Sequence, residues 1–221
     1  MGEHRAPERR LALHARSHLR LVHSGATAPR ARKLTAADLL PLDDYLHERE
    51  AFRQRVLAHR ARRQARLDSQ VLLLFEDRLT VLWQVQEALR IERVFEPHAI
   101  EAELEAWNSL LPDGGNLKAT MLVEPGDAVA HEHALARLGG IERRVHAGVA
   151  GFEPIPAQAD APEGLPSGEV GVFFLRFEFP PAQRLALHAG AALGLGIDDD
   201  RLRVGLVLPE DTRTALLADF G

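Results

Sequence analysis

Between residues 112 and 115 the hydrophobic pattern of this chain changes period, and that change limits the fold more than any other feature. Pro112-Asp-Gly-Gly115 is strong turn chemistry. Before it, apolar residues recur at helical spacing: Leu42, Tyr45, Phe52 and Val56, then Val81, Val85, Ala88, Ile91 and Phe95, then Ile100, Leu104 and Trp107. After it they alternate, with Leu117, Ala119, Met121 and Val123 set against Lys118, Thr120, Leu122 and Glu124. A period of 3.6 is an amphipathic helix and a period of 2 a half-buried strand. Helices first, then strands with short helices between them, predict an α+β fold. Its sheet is expected to be largely antiparallel, with helices packed on it and a helical N-terminal segment.

Element boundaries follow from local chemistry. Thr35-Ala-Ala-Asp38 has the shape of a capping box, and Pro41 interrupts it. A helix is then predicted from about Asp43 to Leu67, acidic at its start and arginine-rich at its end, as the helix dipole favours. Its apolar stripe fades after Leu57, so its last two turns are expected to protrude or to meet an acidic partner. Val71 to Phe75 reads as a buried strand or a helix start. Helices follow at Thr80–Phe95, stopped by Pro97, and from Glu96 or His98 to Leu110. Beyond the first strand we expect a helix at Asp127–Leu138, a strand at Ile141–Val149, and Phe152–Ala157 paired back on it. Asp160–Gly168 is the least ordered internal stretch. Val170–Phe179 is the clearest strand, with Phe173, Leu175, Phe177 and Phe179 on one face. Pro180-Pro181 opens a helix to Ala189, strands follow at Leu193–Ile197 and Leu202–Leu208, and Glu210–Ala218 closes the chain as a helix.

Composition removes several function classes. The 221 residues contain no cysteine, which rules out disulfides, thiolate nucleophiles and cysteine-ligated metal from this chain. No apolar run approaches the roughly 20 residues that span a bilayer, so a cytoplasmic location with no membrane contact is the default. Residues 1–33 hold eight Lys or Arg against two Glu, a surplus of six positive charges; with the whole chain at −5, residues 34–221 carry −11. The tail can be read as a phosphate-binding arm, a targeting peptide or a disordered extension. The extension is favoured, because no aromatic residue is interleaved to stack on bases, and the acidic body argues against nucleic acid. The expected organisation is a disordered basic tail, 1–33, and a single α+β domain, 34–221.

Motif chemistry is sparse. There is no P-loop, no dinucleotide fingerprint, no GxSxG elbow and no HExxH. His131 and His133 stand two apart, a poor spacing for metal on a helix, so no metal or other cofactor is called for. Two polar clusters remain. Glu76 and Arg78 precede Gln84, Gln86, Glu87 and Arg90 on a helix, with Glu87 three and Gln86 four residues before Arg90; they can form an anion or metal pocket, or simply a solvated face with ion pairs. Lys118 shares a strand face with Thr120, and Arg176 shares one with Glu178; side by side they can flank an anion or act as ordinary cross-strand pairs. The structural reading is favoured for both. If the strands are neighbours, Lys118, Arg176 and Glu178 are expected on one sheet face, covered by the helix that carries Glu87.

Several of these residues fall in segments that resemble one bacterial family known as a domain of unknown function. The segments are Lys33-Leu-Thr-Ala-Ala-Asp-Leu-Leu-Pro-Leu42, Leu74-Phe-Glu-Asp-Arg78 with Gln84-Val-Gln-Glu87 and Arg90, Leu110-Leu-Pro-Asp-Gly114 with Asn116-Leu-Lys-Ala-Thr120, and Phe174-Leu-Arg-Phe-Glu178. The likeness runs over 33–221 and leaves the tail outside. It departs at Asp77, where the family pattern has an amide, and at Trp83, where it has tyrosine. The family is often encoded beside a rubrerythrin-like protein and an iron–sulfur oxidoreductase, which implies an accessory or partner role in a redox or peroxide-related module. The rival expectation is an enzyme or sensor that binds a small anion or metal through Glu76, Arg78, Glu87, Lys118, Arg176 and Glu178. Whether the chain is an enzyme stays open at this point.

Overall fold

In the computed structural model the described residues are 33–123, 138–159 and 171–221. Most of the predicted helix at Asp127–Leu138 and all of Asp160–Gly168 lie outside them, as does nearly all of the basic tail. The helices are α1 (Leu42–Arg60), α2 (Arg78–Glu92), α3 (Pro97–Asn108), α4 (Pro181–His188) and α5 (Glu210–Leu217). The strands are β1 (Gln64–Arg66), β2 (Val71–Phe75), β3 (Asn116–Val123), β4 (Val145–Val149), β5 (Ile155–Pro156), β6 (Gln158–Ala159), β7 (Val172–Glu178), β8 (Leu193–Asp199) and β9 (Leu202–Val207). They form two antiparallel sheets rather than the one expected, ordered β1-β2-β3-β7-β6 and β5-β4-β8-β9. The fold is α+β.

The alternating residues of both sheets meet in one hydrophobic cluster. Val71, Leu73 and Phe75 of β2, Leu117, Ala119 and Met121 of β3, and Phe173, Leu175 and Phe177 of β7 share it with Val145 and Ala147 of β4 and Leu195 and Ile197 of β8. The predicted apolar face of β7 is therefore the buried one. The other face of the first sheet is covered by helices, where Phe174 packs against Val81 and Val85 of α2 and Leu104 and Trp107 of α3. Consequently β3 is enclosed on both sides, not half-buried. Its outward residues face helices instead of water.

Two boundaries moved for identifiable reasons. The first helix stops at Arg60 rather than Leu67, and Gln64–Arg66 pair with β2. Arg63, Ala65 and Leu67 are buried while Arg62, Gln64 and Arg66 are exposed, a period of 2 hidden inside an arginine-rich run. The supposed protruding end is thus folded against the sheet. α2 ends at Glu92, its C-cap Arg93 takes a left-handed conformation at φ 54°, and Phe95 lies beyond it, 58% exposed, not on the apolar face. At its start, Asp77 caps α2 by accepting from Leu79 N and Thr80 N at 3.0 Å each, while Thr80 Oγ1 accepts from Asp77 N at 2.9 Å.

A candidate ligand cleft beside a histidine–aspartate pair

The residues singled out from the sequence separate into four places. Glu76 is buried between α2 and β3, where Oε2 accepts from Thr80 Oγ1 at 2.6 Å and Gln84 Nε2 at 2.8 Å, and Oε1 from Thr120 Oγ1 at 2.6 Å. Three neutral donors satisfy the carboxylate, while Gln84 Oε1 is buried with no hydrogen-bond partner. Glu87 instead joins α2 to α1: Arg49 grips it through Nε and Nη2 at 2.8 Å each, Arg90 through the same two nitrogens at 3.0 Å each, and Tyr45 donates its hydroxyl at 2.8 Å. Burial would raise the Glu87 carboxyl, but the hydrogen bonds from Arg49, Arg90 and Tyr45 outweigh it and push it down to about 2.

The third place is on the sheet. Lys118 and Arg176 are direct cross-strand partners, as anticipated from their strands being neighbours. Arg176 Nη1 donates to Glu178 Oε1 at 2.6 Å, and Asn116 Nδ2 reaches the same oxygen at 3.1 Å. Lys118 Nζ donates to the Ser109 carbonyl and Arg176 also to Gln158. Arg176 and Glu178 are both substantially exposed. α2 does cover this sheet face, yet it presents Thr80 and Gln84 there, not Glu87. The single Glu/Arg/Lys pocket of the rival reading is therefore not assembled; apart from Arg78, its parts are interaction networks in different layers, as the favoured structural reading has them.

Arg78 has a different setting. It pairs with Asp38 and lines a cleft of about 610 Å³ bounded by the end of α1, the start of α2, and α5 with the residues after it. The residues that give this cleft its chemistry are His59, Arg62, Arg63, Asp77 and Asp219. His59 Nε2 lies 2.5 Å from Asp77 Oδ2. Arg63, only 2% exposed, stands behind them with Nε at 3.4 Å from Asp77 Oδ2 and Nη2 at 2.5 Å from Asp219 Oδ2. Its remaining donors reach backbone oxygens: Nη1 to Ala215 at 2.8 Å and Nη2 to Glu76 at 3.2 Å. Gly114 completes the wall. Its φ of 91°, left-handed and suited to glycine, turns its carbonyl toward Arg184 Nη1 at 2.7 Å and Gly221 N at 3.1 Å.

One buried guanidinium thus holds two carboxylates whose environments drive them apart. Burial opposes ionisation of Asp77, but the Arg63 charge, the Thr80 N–H and His59 prevail and lower it. Asp219 is more deeply enclosed; burial wins over the Arg63 charge and hydrogen bond, and raises it to about 6. Two titratable groups pushed in opposite directions beside a histidine are an arrangement suited to moving protons. With Nε2 engaged by Asp77, the other ring nitrogen, Nδ1, is the one left to act as an acceptor. Among the described residues there is no group of three or more His, Asp or Glu placed to hold a metal. Nor is any helix there long and apolar enough to cross a membrane.

Sequence reading missed His59, Arg63 and Asp219. Arg63 was absorbed into an overlong helix, His59 lies among the arginines at the true end of that helix, and Asp219 sits past the last predicted one. For Arg63 the available signal was Ala65 and Leu67, apolar and two apart within the arginine-rich run.

The architecture defines a class: two antiparallel sheets sharing a core, helices over one outer face, and a polar cleft at the end of the first helix. Residues 33–220 match the family described as "Protein of unknown function (DUF3501)", and the chain belongs to that family. The match begins where the resemblance did, at Lys33. A crystal structure of a novel protein of unknown function from Burkholderia pseudomallei K96243 is similar to this one, with 37% sequence identity and a TM-score of 0.82. The similarity covers 86% of this chain and 100% of that one. No curated protein matches the chain.

Proposed function

We propose that the protein binds a small carboxylate- or phosphate-bearing molecule in the His59–Arg78 cleft and exchanges a proton with it. The observation that carries this reading is the chain His59–Asp77–Arg63–Asp219 along one wall of a cleft of about 610 Å³, a volume within the range typical of small-molecule sites. Arg62 is exposed at the rim, and the Arg78 guanidinium, paired with Asp38, lines the same cleft. Of the three lining acids, Asp211 is exposed, and the other two compete little for that anion below pH about 6. Asp77 is engaged by His59 and Arg63, and Asp219 is largely neutral below pH about 6.

The test is thermal unfolding and calorimetric titration against a panel of small carboxylic acids and phosphate esters. A ligand of the native state raises the melting temperature. Arg78→Ala should abolish the rise by removing charge, whereas His59→Ala should keep binding but flatten its pH dependence. If no panel member stabilises the wild type, the reading fails.

Partnership with a rubrerythrin-like protein or an iron–sulfur oxidoreductase, in the cytoplasm, is a separate proposal that rests on the family resemblance alone. Its docking surface is the arginine-rich end of the first helix, which also lines the cleft, or the acidic body. Co-purification of the intact protein with either candidate is the measurement that decides it.

A further inference from the structure

The face that α5 turns to the cleft changes character along its length. Asp211, Thr214, Ala215 and Ala218 line the cleft, and their spacing of three, four and seven residues sets them in one row on the helix. Asp211 and Thr214 are exposed, whereas Ala215 and Ala218 are half-buried. The row is about 10 Å long at a helical rise of about 1.5 Å per residue. Its inner end is the one that meets the histidine–aspartate chain: Arg63 donates to the Ala215 carbonyl at 2.8 Å, and its Nη2 lies 2.5 Å from Oδ2 of Asp219, the residue after Ala218. Two rings extend the alanines into an apolar wall. Phe220 lines the cleft while 7% exposed, held by an edge contact with Phe179 at 5.0 Å between centroids and by its backbone bridge to Gly114. Pro112 lines it as well. Two methyl groups, a pyrrolidine and a phenyl ring offer nothing that a bare anion would use.

We propose that the ligand of this cleft is an aromatic monocarboxylate, one ring bearing one carboxyl group, with its ring on the Ala215–Ala218–Phe220 wall and its carboxylate toward Arg62 and Arg78. The inference rests on the cleft reading above and adds the class of ligand. Short alanine side chains let a flat ring lie close to the helix, and Phe220 gives it a partner in the offset or edge-on arrangements that rings prefer. The charges favour a single carboxylate. Arg63 is matched by Asp77 and Asp219, and Arg78 by Asp38. Exposed Arg62 makes no ion pair among the described residues, so the head group has one unmatched cation to meet rather than the several a phosphate dianion would draw on.

Calorimetric titration of the full-length protein with benzoate, cyclohexanecarboxylate, acetate and phenyl phosphate, at a pH just below 6, tests it. Benzoate should bind roughly tenfold tighter than acetate, which has no body to bury against the apolar wall. It should also bind tighter than cyclohexanecarboxylate, whose puckered ring cannot lie flat on α5. Ala215→Leu fills the space given to the ring and should remove most of the preference for benzoate over acetate. Ala218→Leu should do the same and serves if the first variant does not fold. Four results overturn the inference while the cleft reading stands: acetate as tight as benzoate, cyclohexanecarboxylate as tight as benzoate, phenyl phosphate tighter than benzoate, or a preference undiminished in both leucine variants. Absence of benzoate binding overturns it too, and the cleft reading falls with it only if no acid or ester of the wider panel binds.

Discussion

Replacing Asp219 by asparagine should stabilise the protein at neutral pH, although it breaks an ion pair. Asp219 Oδ2 lies 2.5 Å from Arg63 Nη2, and on contact geometry alone the substitution looks harmful. The balance of burial and charge says otherwise. Enclosure lifts the carboxyl from 3.8 to about 6 in the folded protein. A group whose folded pKa is raised contributes stability that is fully present below the unfolded value and is lost as pH rises through the folded one. Below pH about 4, Asp219 is protonated in both states, and the asparagine variant should match the wild type. Between about 4 and 6 the unfolded chain ionises while the folded one resists, so wild-type stability drains away. Above about 6 the full penalty is present. Two pKa units correspond to about 3 kcal/mol at 1.36 kcal/mol each, and the amide escapes that penalty while keeping one oxygen for Arg63. The gain is expected at about 1–3 kcal/mol, because one neutral hydrogen bond replaces a charged one. Urea denaturation of both proteins at a series of pH values measures the difference directly. A variant less stable than wild type by a constant amount at every pH would show that Arg63 keeps Asp219 ionised, and the reasoning would be wrong.

Three further outcomes follow from the same structure. Phe177, 0% exposed in the shared core, should cost about 3–5 kcal/mol as Phe177→Ala in chemical denaturation. Glu87 has the opposite sign from Asp219: its carboxyl is lowered from 4.5 to about 2, so its stability is present above about 4.5 and is lost as pH falls through about 2. Glu87→Gln should therefore cost about 3 kcal/mol at neutral pH and progressively less in acid, a trend that pH-resolved unfolding reads. Thr120→Val removes the sole side-chain donor to Glu76 Oε1 and should cost about 1–3 kcal/mol through an unsatisfied buried oxygen; a melting temperature within a degree of wild type would contradict that.

The fold was legible wherever one periodicity ruled a segment. β7 alternates four apolar residues with polar ones, and its buried face is the predicted one. α3 carries Leu104 and Trp107 inward as its spacing requires. Legibility failed where composition masked the period. Arg63 is an interior residue with the sequence signature of a surface one, because its charge is neutralised by Asp77 and Asp219, the latter 156 residues away. Long-range pairing of that kind leaves no local trace. The half-buried reading of β3 failed for a related reason. A strand states which residues are apolar, but not whether a helix will cover the polar side, and here Thr120 and Glu76 make that cover possible by satisfying each other.

The candidate site was less legible than the fold, and the cause lies in how charged side chains are used. Helical spacing brought Glu87 and Arg90 together as anticipated, and strand pairing set Lys118 beside Arg176. Both inferences were local, and both led to closed networks, since a charge that finds its partner nearby has little left to offer a ligand. The residues with residual capacity are those whose partners come from distant segments and satisfy them incompletely. His59 keeps one ring nitrogen, Asp219 is raised to about 6 by burial, and Arg60 has two guanidinium nitrogens with no hydrogen-bond partner. Incomplete satisfaction costs stability, and a fold retains it at particular positions when something outside the chain completes the bonding. That places the chemistry of this protein at the end of α1, where the sequence shows only an arginine-rich run.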